Sequence, residues 1–242
     1  MSSYIKAKNI SLDYPILGYR GESLKSSIIN NTIGGIIKIQ GLSNKATTVR
    51  SVNNISLEAF PGDKVGLIGS NGCGKTSLLR VLSGVYPISE GQLKVKGRLS
   101  SMLNLNCGID SELTGLDNII FRLKLARINQ KDISNMIDDI INFADLNNFI
   151  NLPFRMYSSG MQARLVFGIA TAVPSDIILM DEWLSVGDKD FNKKAAIRLN
   201  DYVKKSSILI LASHDHKFVS NLCNKIITMD HGEMIDYKEQ KI

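Results

Sequence analysis

Apolar and polar positions follow two alternating spacings along most of the chain. Short apolar or β-rich runs, which are typical of strands, cover residues 54–58, 64–69, 92–96, 177–180, 208–212, 226–229 and 234–237. Helical spacings of apolar residues cover residues 75–82, 116–127, 132–144, 161–172, 190–203 and 218–223. Because strand and helix patterns alternate, we predict an α/β fold.

Two of the strand-like runs carry no polar position. Residues 177–180 and 208–212 are apolar throughout, as in a parallel sheet that helices cover on both faces. We therefore predict that they are central strands. Thr114, followed three residues later by Asp117, predicts a side-chain cap at the start of the helix over 116–127.

Residues 16–48 interrupt this pattern and are expected to be an insertion. The segment 18–45 is rich in Gly and Asn, with isoleucines scattered between them. Between Ser23 and Ile39 the spacing is partly helical, which predicts a short amphipathic helix that contacts a membrane or a partner. The alternative is a loop whose isoleucines pack on their own domain, because the Asn and Gly pairs weaken a helix.

Composition limits the class of protein. The chain has 242 residues, of which 44% are hydrophobic and 21% charged, so it can bury a full core without disulfides. Lys and Arg outnumber Asp and Glu by 29 to 23, an excess that permits an anionic partner without requiring one. No apolar stretch approaches the ~20 residues of a membrane span, and no secretory signal is visible. Cys73, Cys107 and Cys223 lack CxxC spacing, so we expect reduced thiols and a cytosolic protein.

The most specific motif is Gly69-Ser-Asn-Gly-Cys-Gly-Lys-Thr76, which fits GxxxxGK[ST] between a strand and a helix. Glycines in such a loop let successive backbone amides face an anion, and the helix N-terminus adds partial positive charge. We expect Lys75 to reach the terminal phosphates of a nucleotide and Thr76 to offer its hydroxyl to Mg²⁺. The predicted nucleotide contacts are Ser70, Asn71, Gly72, Cys73, Gly74, Lys75, Thr76 and Ser77. An adduct on Cys73 is therefore expected to block nucleotide binding, with Mg-ATP protecting the thiol.

Acidic residues and a histidine follow the two apolar strands. The run 177–180 leads into Asp181 and Glu182, at the sheet edge where open α/β sheets bind their ligands. We expect Asp181 to hold Mg²⁺ through water and Glu182 to act as general base toward an attacking water. His214 follows 208–212 and is predicted at the same edge, where it would contact the γ-phosphate or orient the water. A structural histidine is the alternative.

A second anion site is predicted at the start of the helix over 161–172. The sequence Tyr157-Ser-Ser-Gly-Met-Gln162 precedes it, and Ser158 or Ser159 is expected to be its cap. Plain capping is one interpretation. Because the chain already has a phosphate loop, the other is that this helix end completes the site of another subunit.

These motifs, in this order, resemble the nucleotide-binding subunit of ABC transporters over about residues 9–237. Within that family, YSSGM in place of LSGGQ, DEWLSVGD and GLIGSNGCGKTSLLRVLSGVYPISEG are similar to the ATPases that export O-antigen, capsule, teichoic acid and other cell-surface polysaccharides. The lead-in LDYP followed by an insertion is similar to the O-antigen branch.

The resemblance implies a P-loop NTPase of the ABC type. Its mostly parallel sheet core would be joined by an antiparallel β subdomain and, at 104–160, by a helical subdomain that carries the signature motif. We expect residues 1–242 to form one nucleotide-binding domain, with an insertion at 16–48 and without the carboxyl-terminal carbohydrate-binding domain of some relatives.

The resemblance also implies roles for four residues outside the phosphate loop. Tyr14 would lie under the adenine, although an ordinary surface tyrosine is the alternative. The family usually has a metal-contacting glutamine before the signature helix, and here Asn104 is expected to replace it. Because Ser159 and Met161 replace the usual Gly and Gln of the signature, its phosphate contact would depend on Ser158 and the Gly160 amide.

The function that the resemblance implies is ATP hydrolysis coupled to export. Two copies would trap two ATP molecules with Mg²⁺ and drive an integral membrane permease from the cytoplasmic face of the inner membrane, moving a lipid-linked polysaccharide. The alternative is a soluble ABC ATPase that acts on nucleic acid or in metallocluster assembly. Nucleic acid is not expected as a partner, since such members usually carry two domains or a long coiled coil. A binding module without hydrolysis would lack Glu182 or Lys75, and both are present.

Overall fold

The computed structural model describes residues 2–15, 36–38, 48–182 and 189–240. The strands are β1 (Tyr4–Pro15), β2 (Ile36–Lys38), β3 (Thr48–Ala59), β4 (Lys64–Ile68), β5 (Glu90–Lys96), β6 (Leu99–Ser101), β7 (Ile177–Asp181), β8 (Ile208–Ala212), β9 (Lys225–Asp230) and β10 (Glu233–Glu239). The helices are α1 (Lys75–Leu82), α2 (Gly115–Leu125), α3 (Gln130–Ala144), α4 (Ser159–Ala172), α5 (Lys189–Lys205) and α6 (His216–Leu222).

The described residues divide into two compact units. The first unit takes in those within Met1–Leu103, Ile177–Trp183 and Ser207–Ile242. The second takes in those within Asn104–Asp176 and Leu184–Ser206. The first unit contains both sheets, and the second contains α2 to α5.

The larger sheet of the first unit has six strands in the order β10-β9-β4-β8-β7-β6. The pairs β9·β4, β4·β8, β8·β7 and β7·β6 are parallel, and only β10 is added antiparallel at the edge. The two wholly apolar runs form β7 and β8, each with a neighbour on both sides, which confirms the prediction of central strands. β8 is buried along its whole length.

The smaller sheet is antiparallel, in the order β2-β3-β1-β5. Residues along β1 and β3 alternate between buried and exposed, because one face of this sheet packs on the core and the other faces solvent. Side chains from β1, β3, α1 and the parallel strands share one hydrophobic cluster. The parallel core is therefore as the apolar runs predicted, and the antiparallel subdomain is as the resemblance implied.

An ion-pair cluster fastens three strands of the antiparallel sheet. Arg50 on β3 is 5% exposed and forms two bonds each with Asp13 and Glu90, including 2.7 Å from Nε to Asp13 Oδ1. The hydrogen bonds from Asp13, and then those from Glu90, raise the pKa of the Arg50 guanidinium above its usual value. Arg50 therefore stays charged and links β1, β3 and β5.

The second unit packs its helices around a separate hydrophobic cluster. Thr114 caps α2, where its Oγ1 accepts a hydrogen bond from the Asp117 amide at 3.0 Å, as predicted. Arg198 of α5 donates to Thr171 on α4 and to Asp139 on α3, at 2.8 and 3.1 Å. This arginine joins three of the four helices.

The interval predicted as an insertion and the strand β6 differ from the sequence prediction. Within the interval predicted as an amphipathic helix, residues 36–38 form a strand that pairs antiparallel with residues 48–50 of β3, so the helix prediction is wrong there. The ranges 16–35 and 39–47 lie outside the described residues. The strand β6 was not predicted, because three residues with no clear alternation carry no strand signal.

Candidate functional site

The loop between β4 and α1 has the backbone conformation of a phosphate loop. Gly69, Gly72 and Gly74 have positive φ angles of 149°, 79° and 106°. A Cβ at Gly69 would lie 2.2 Å from the Met229 carbonyl oxygen, and one at Gly74 would lie 2.4 Å from the Ser51 carbonyl oxygen. Both positions therefore require glycine. Gly74 precedes α1 without a side-chain cap, so the first amides of the helix keep their donors for another acceptor.

Lys75 folds back over the loop. Its Nζ donates to the carbonyl oxygens of Gly69 and Ser70 at 2.8 and 2.9 Å. The ammonium group is thus held at the mouth of the loop, where it can add a point charge to an anion that the backbone amides bind.

The hydroxyl of the next residue meets the acidic end of β7. Thr76 Oγ1 donates to Asp181 Oδ2 at 2.6 Å. A hydroxyl and a carboxylate this close are oxygen ligands of the kind that Mg²⁺ prefers, with water and substrate oxygens completing its shell. The described part of the chain has no cluster of three or more His, Cys, Asp or Glu that would hold a metal by itself. The chemistry of the pair therefore fits a magnesium ion.

Glu182 and His214 are in contact at the same edge of the sheet. His214 Nδ1 lies 2.7 Å from Glu182 Oε1, and both side chains are exposed. The backbone of Glu182 has a φ of 68°, which is uncommon for a residue with a Cβ, and its amide donates to the Ala212 carbonyl at 2.7 Å. Backbone strain of this kind concentrates at functional sites. The sequence placed both residues at this edge but did not predict that they touch.

A pocket of about 540 Å³ in the first unit is lined by the phosphate loop and the acidic end of β7, but not by His214. Its walls are Tyr14, Val49, Ser51, Asn71, Gly72, Gly74, Lys75, Thr76, Ser77, Asp181 and Glu182. The sequence predicted nine of these eleven residues. It missed Val49 and Ser51 of β3, because only the pairing of β3 with β1 brings them beside the loop.

Tyr14 lines this pocket. Its ring packs edge-to-face on Tyr86 with centroids 5.1 Å apart, and its hydroxyl lies 3.4 Å from Ser77 Oγ. Tyr14 is only partly exposed and packs against the main core. It is therefore a fixed wall of the pocket, which argues against an unconstrained surface tyrosine.

Replacing Tyr14 with Ala should raise the ATP concentration needed for half-saturation several-fold, since stacking of a base on an aromatic ring contributes ~1 to 3 kcal/mol. Tyr14→Phe keeps the ring and should stay near the parent value. Titration with a fluorescent ATP analogue measures both variants. Equal affinities for the Ala and Phe variants would exclude stacking on Tyr14.

Cys73 is not placed as the sequence suggested. The residue is 1% exposed, its side chain belongs to the main core, and it does not line the pocket. The positive φ angles of Gly72 and Gly74 turn the loop so that Cys73 points inward. The expectation of an accessible thiol in the phosphate path is therefore wrong, and only the backbone of Cys73 remains a candidate contact.

Alkylation of the folded chain should modify Cys107 first. Cys107 is exposed, whereas Cys73 and Cys223 are buried, and burial raises the pKa of the Cys223 thiol to about 12. Thiolates are the reactive species, so Cys223 is protected by both its pKa and its burial. Peptide mass spectrometry after a short exposure to iodoacetamide measures the order. Labelling of Cys73 as fast as Cys107 would contradict its position in the core.

Three predicted site residues belong to the second unit. Ser158 caps α4, and its Oγ accepts from the Met161 amide at 3.3 Å; Gly160 in the first turn has no neighbouring atom closer than 4.0 Å to a Cβ built there. Asn104 is exposed, and its Oδ1 accepts from the Asn106 amide at 3.2 Å. The end of the DEWLSVGD stretch, residues 183–188, lies outside the described residues.

A glycine loop with a lysine and threonine, a strand that ends in two acids, and an adjacent histidine define a P-loop nucleotide-binding site. The ABC transporter family model matches residues 52–185. The chain belongs to the ABC transporter family and is an ATP-binding ATPase of the ABC type.

Three curated relatives are ATP-binding proteins named for the export of O-antigen or teichoic acids. The chain is 39% identical over 225 residues to the O-antigen export system ATP-binding protein RfbE of Yersinia enterocolitica, covering 93% of each. It is 36% identical over 208 residues to the teichoic acids export ATP-binding protein TagH of Listeria innocua, covering 84% of this chain but 62% of that relative. Against TagH of Staphylococcus epidermidis it is 31% identical over 239 residues, covering 99% and 86%.

Solved structures support the fold. A dimeric ATP-binding cassette in a post-hydrolysis state, bound to ADP and phosphate, matches 97% of this chain with a TM-score of 0.67 and 18% identity. An ATP-binding subunit of an ABC transporter matches with a TM-score of 0.69 and 14% identity. In the described part of the chain, no helix combines the length and apolar character needed to cross a membrane.

Proposed function

We propose that this chain is the ATP-hydrolysing subunit of an ABC exporter that moves a lipid-linked cell-surface polysaccharide, O-antigen-like in class, across the cytoplasmic membrane. The observation that carries the proposal is the convergence at one sheet edge of the Thr76–Asp181 pair, the Glu182–His214 pair and the glycine loop. This arrangement has a cradle for phosphates, ligands for a divalent cation and a base for water.

Within that site, the chain's own residues would divide the chemistry. The loop amides and Lys75 bind the phosphates, and Tyr14 stacks on the base. Thr76 and Asp181 would hold Mg²⁺, which when bound neutralises charge on the β- and γ-phosphate oxygens. Asn104 is the further candidate ligand, in place of the glutamine usual in the family.

Glu182 would remove the proton of the attacking water. As a general base, Glu182 acts as an ionised carboxylate, which can only accept hydrogen bonds. In that role Glu182 Oε1 accepts a hydrogen bond from the Nδ1–H group of His214. This bond orients both side chains, and His214 Nε2 is left to face the water or the γ-phosphate. His214 therefore positions the base as well as contacting the reacting groups.

A second copy of the chain would complete each site. Ser158 and Gly160 stand at the N-terminus of α4, where Ser158 is exposed and the space over Gly160 is open. A helix N-terminus can bind phosphate through free amides. Two copies arranged head to tail would thus close over two ATP molecules, consistent with the dimer formed by the similar cassette bound to ADP and phosphate.

The proposed export role and substrate class are supported by the similarity of this chain to its curated relatives. The chain spans 93% of a protein named for O-antigen export and about three-fifths of a Listeria protein named for teichoic acid export. An exporter of a lipid-linked glycan requires a channel, so the chain would attach to an integral membrane permease at the cytoplasmic face of the inner membrane. No nucleic-acid partner is part of this proposal.

Measurement of the polysaccharide at the cell surface tests the proposal. Cells in which Glu182→Gln replaces the parent chain should lose the exported polysaccharide from the surface and accumulate its lipid-linked form inside. Cells with Lys204→Gln, a change on the exposed end of α5, are the matched control. Normal surface polysaccharide in the Glu182→Gln cells, when the purified variant no longer hydrolyses ATP, would exclude the export role and favour a soluble ABC ATPase.

A further inference from the structure

The outer face of the antiparallel sheet carries a cluster of lysines, here called the lysine face: Lys6 and Lys8 on β1 and Lys94 and Lys96 on β5. All four residues are exposed. On β1 the residues between and beside the lysines, Ile5 and Ala7, are buried in the core. Because side chains alternate along a strand, the lysines point to the opposite, solvent-facing side of the sheet.

The pairing of the two strands concentrates this charge. Lys6 lies directly opposite Lys94, Tyr4 lies opposite Lys96, and Lys8 lies opposite Gln92. Directly opposed side chains in an antiparallel pair are about 5 Å apart at Cβ, so like charges there destabilise the sheet. The fold therefore keeps a repulsive pair at a position where Glu or Gln would be neutral or favourable.

Acidic side chains neutralise little of the positive charge of the lysine face. Lys6 makes a single ion pair, with Glu58 of β3 at the limiting distance of 4.0 Å. Among the described residues, no acidic partner pairs with Lys8, Lys94 or Lys96. Protection of an edge strand would explain lysines on β5, but it does not explain Lys6 and Lys8, since β1 is an inner strand.

Aromatic rings lie beside one end of this face. Lys6 Nζ is 5.3 Å from the ring centroid of Phe60 and 5.8 Å from that of Tyr4. Phe60, which directly follows β3, is 39% exposed, and Tyr4 is partly exposed. Exposed aromatic rings next to lysines are typical of surfaces that lie at the boundary between lipid headgroups and acyl chains.

We propose that the lysine face, with Tyr4 and Phe60, binds the surface of an anionic lipid bilayer. Its charges are spread over one face of a sheet, and neither the phosphate-loop pocket nor the cavity of about 580 Å³ in the second unit includes them. Such a face fits the plane of lipid headgroups better than it fits a strand of nucleic acid, which requires a positively charged groove that follows its backbone. The inference draws on the proposed function only for the expectation that a bilayer is nearby.

Sedimentation with vesicles tests this binding. The full chain is mixed with phosphatidylcholine vesicles that contain or lack phosphatidylglycerol, at about 0.1 M salt, where the Debye length is about 10 Å. Each lysine near an anionic surface contributes about 1 kcal/mol, so Lys6→Gln with Lys94→Gln should weaken binding roughly thirtyfold. Adding Lys8→Gln and Lys96→Gln should abolish it, and so should ~1 M salt.

The matched control is Lys204→Gln with Lys205→Gln, which removes the same charge from the end of α5 and should bind like the parent. ATP hydrolysis and thermal unfolding of each purified variant are measured alongside. The Lys6/Lys94 variant should keep its hydrolysis and unfold at a temperature close to that of the parent, because removal of the like-charge pair offsets the loss of the weak Lys6–Glu58 ion pair. Hydrolysis thus reports on the proposed function separately from vesicle binding.

Three results would overturn the proposal. The first is equal binding of the parent chain to neutral and anionic vesicles. The second is an equal loss of binding in the Lys6/Lys94 and Lys204/Lys205 double variants, which would show that binding depends only on the net charge of the chain. The third is binding of a single-stranded oligonucleotide that depends on Lys6 and Lys94 without any binding to anionic vesicles, which would assign the face to a nucleic acid.

Discussion

Glu182→Gln is expected to reduce ATP hydrolysis by about two to four orders of magnitude while ATP still binds. Gln keeps the size of the side chain and can still contact His214 Nδ1, but it cannot take a proton from water. Phosphate release from the purified protein measures turnover, and equilibrium binding of a fluorescent ATP analogue measures affinity. Because ATP persists in the variant, size-exclusion chromatography with Mg-ATP should show a stable dimer.

The control for this prediction is Glu58→Gln, which removes an exposed carboxylate on β3 outside the phosphate-loop pocket. It should hydrolyse ATP like the parent. If Glu182→Gln retained turnover within a few-fold of the parent, Glu182 would not be the general base.

Lys75→Ala is expected to weaken the binding of ATP. Hydrogen bonds to charged groups contribute about 1.5 to 3 kcal/mol, so affinity for ATP should fall roughly ten- to hundredfold. The loss should be smaller for ADP, which lacks the γ-phosphate. Isothermal titration with both nucleotides measures the difference.

Lys75 also bonds to the carbonyl oxygens of Gly69 and Ser70, so its loss can loosen the loop. Thermal unfolding without nucleotide separates that effect from the loss of a phosphate contact. Lys217→Ala, on the exposed surface of α6, is the control. Unchanged ATP affinity in Lys75→Ala, in a protein of normal stability, would remove Lys75 from the phosphate site.

Most of the fold was predictable because its elements carry strong local signals. The parallel strands β7 and β8 are continuous apolar runs, and α1 spans residues 75–82, as its spacing predicted. The phosphate loop is local too, since a single stretch of eight residues supplies its glycines, lysine and threonine. A strand followed by such a loop and a helix leaves few alternative structures.

What the sequence could not predict depends on long-range pairing. Glu182 and His214 are 32 residues apart, and their contact arises from the parallel register that places Asp181 beside Ala212. Val49 and Ser51 enter the pocket through the pairing of β1 with β3. Each of these features requires two distant segments to be placed together.

The sequence also could not predict the direction in which the Cys73 side chain points. The motif shows that residue 73 is within the phosphate loop, but the sign of φ at the glycines on either side decides where Cys73 points. Those angles turn the thiol into the core. The lysine face likewise follows from register, since Lys6 and Lys94 are 88 positions apart in the sequence but directly opposed in the sheet.

Purification of the chain from membranes in mild detergent tests the central claim most directly. We expect an integral protein with several membrane spans to co-purify in a two-to-two ratio with this chain, and the complex to hydrolyse ATP faster when the lipid-linked polysaccharide is added. A chain recovered only with soluble partners, or a complex whose hydrolysis does not respond to the glycan, would contradict the assignment as an exporter subunit.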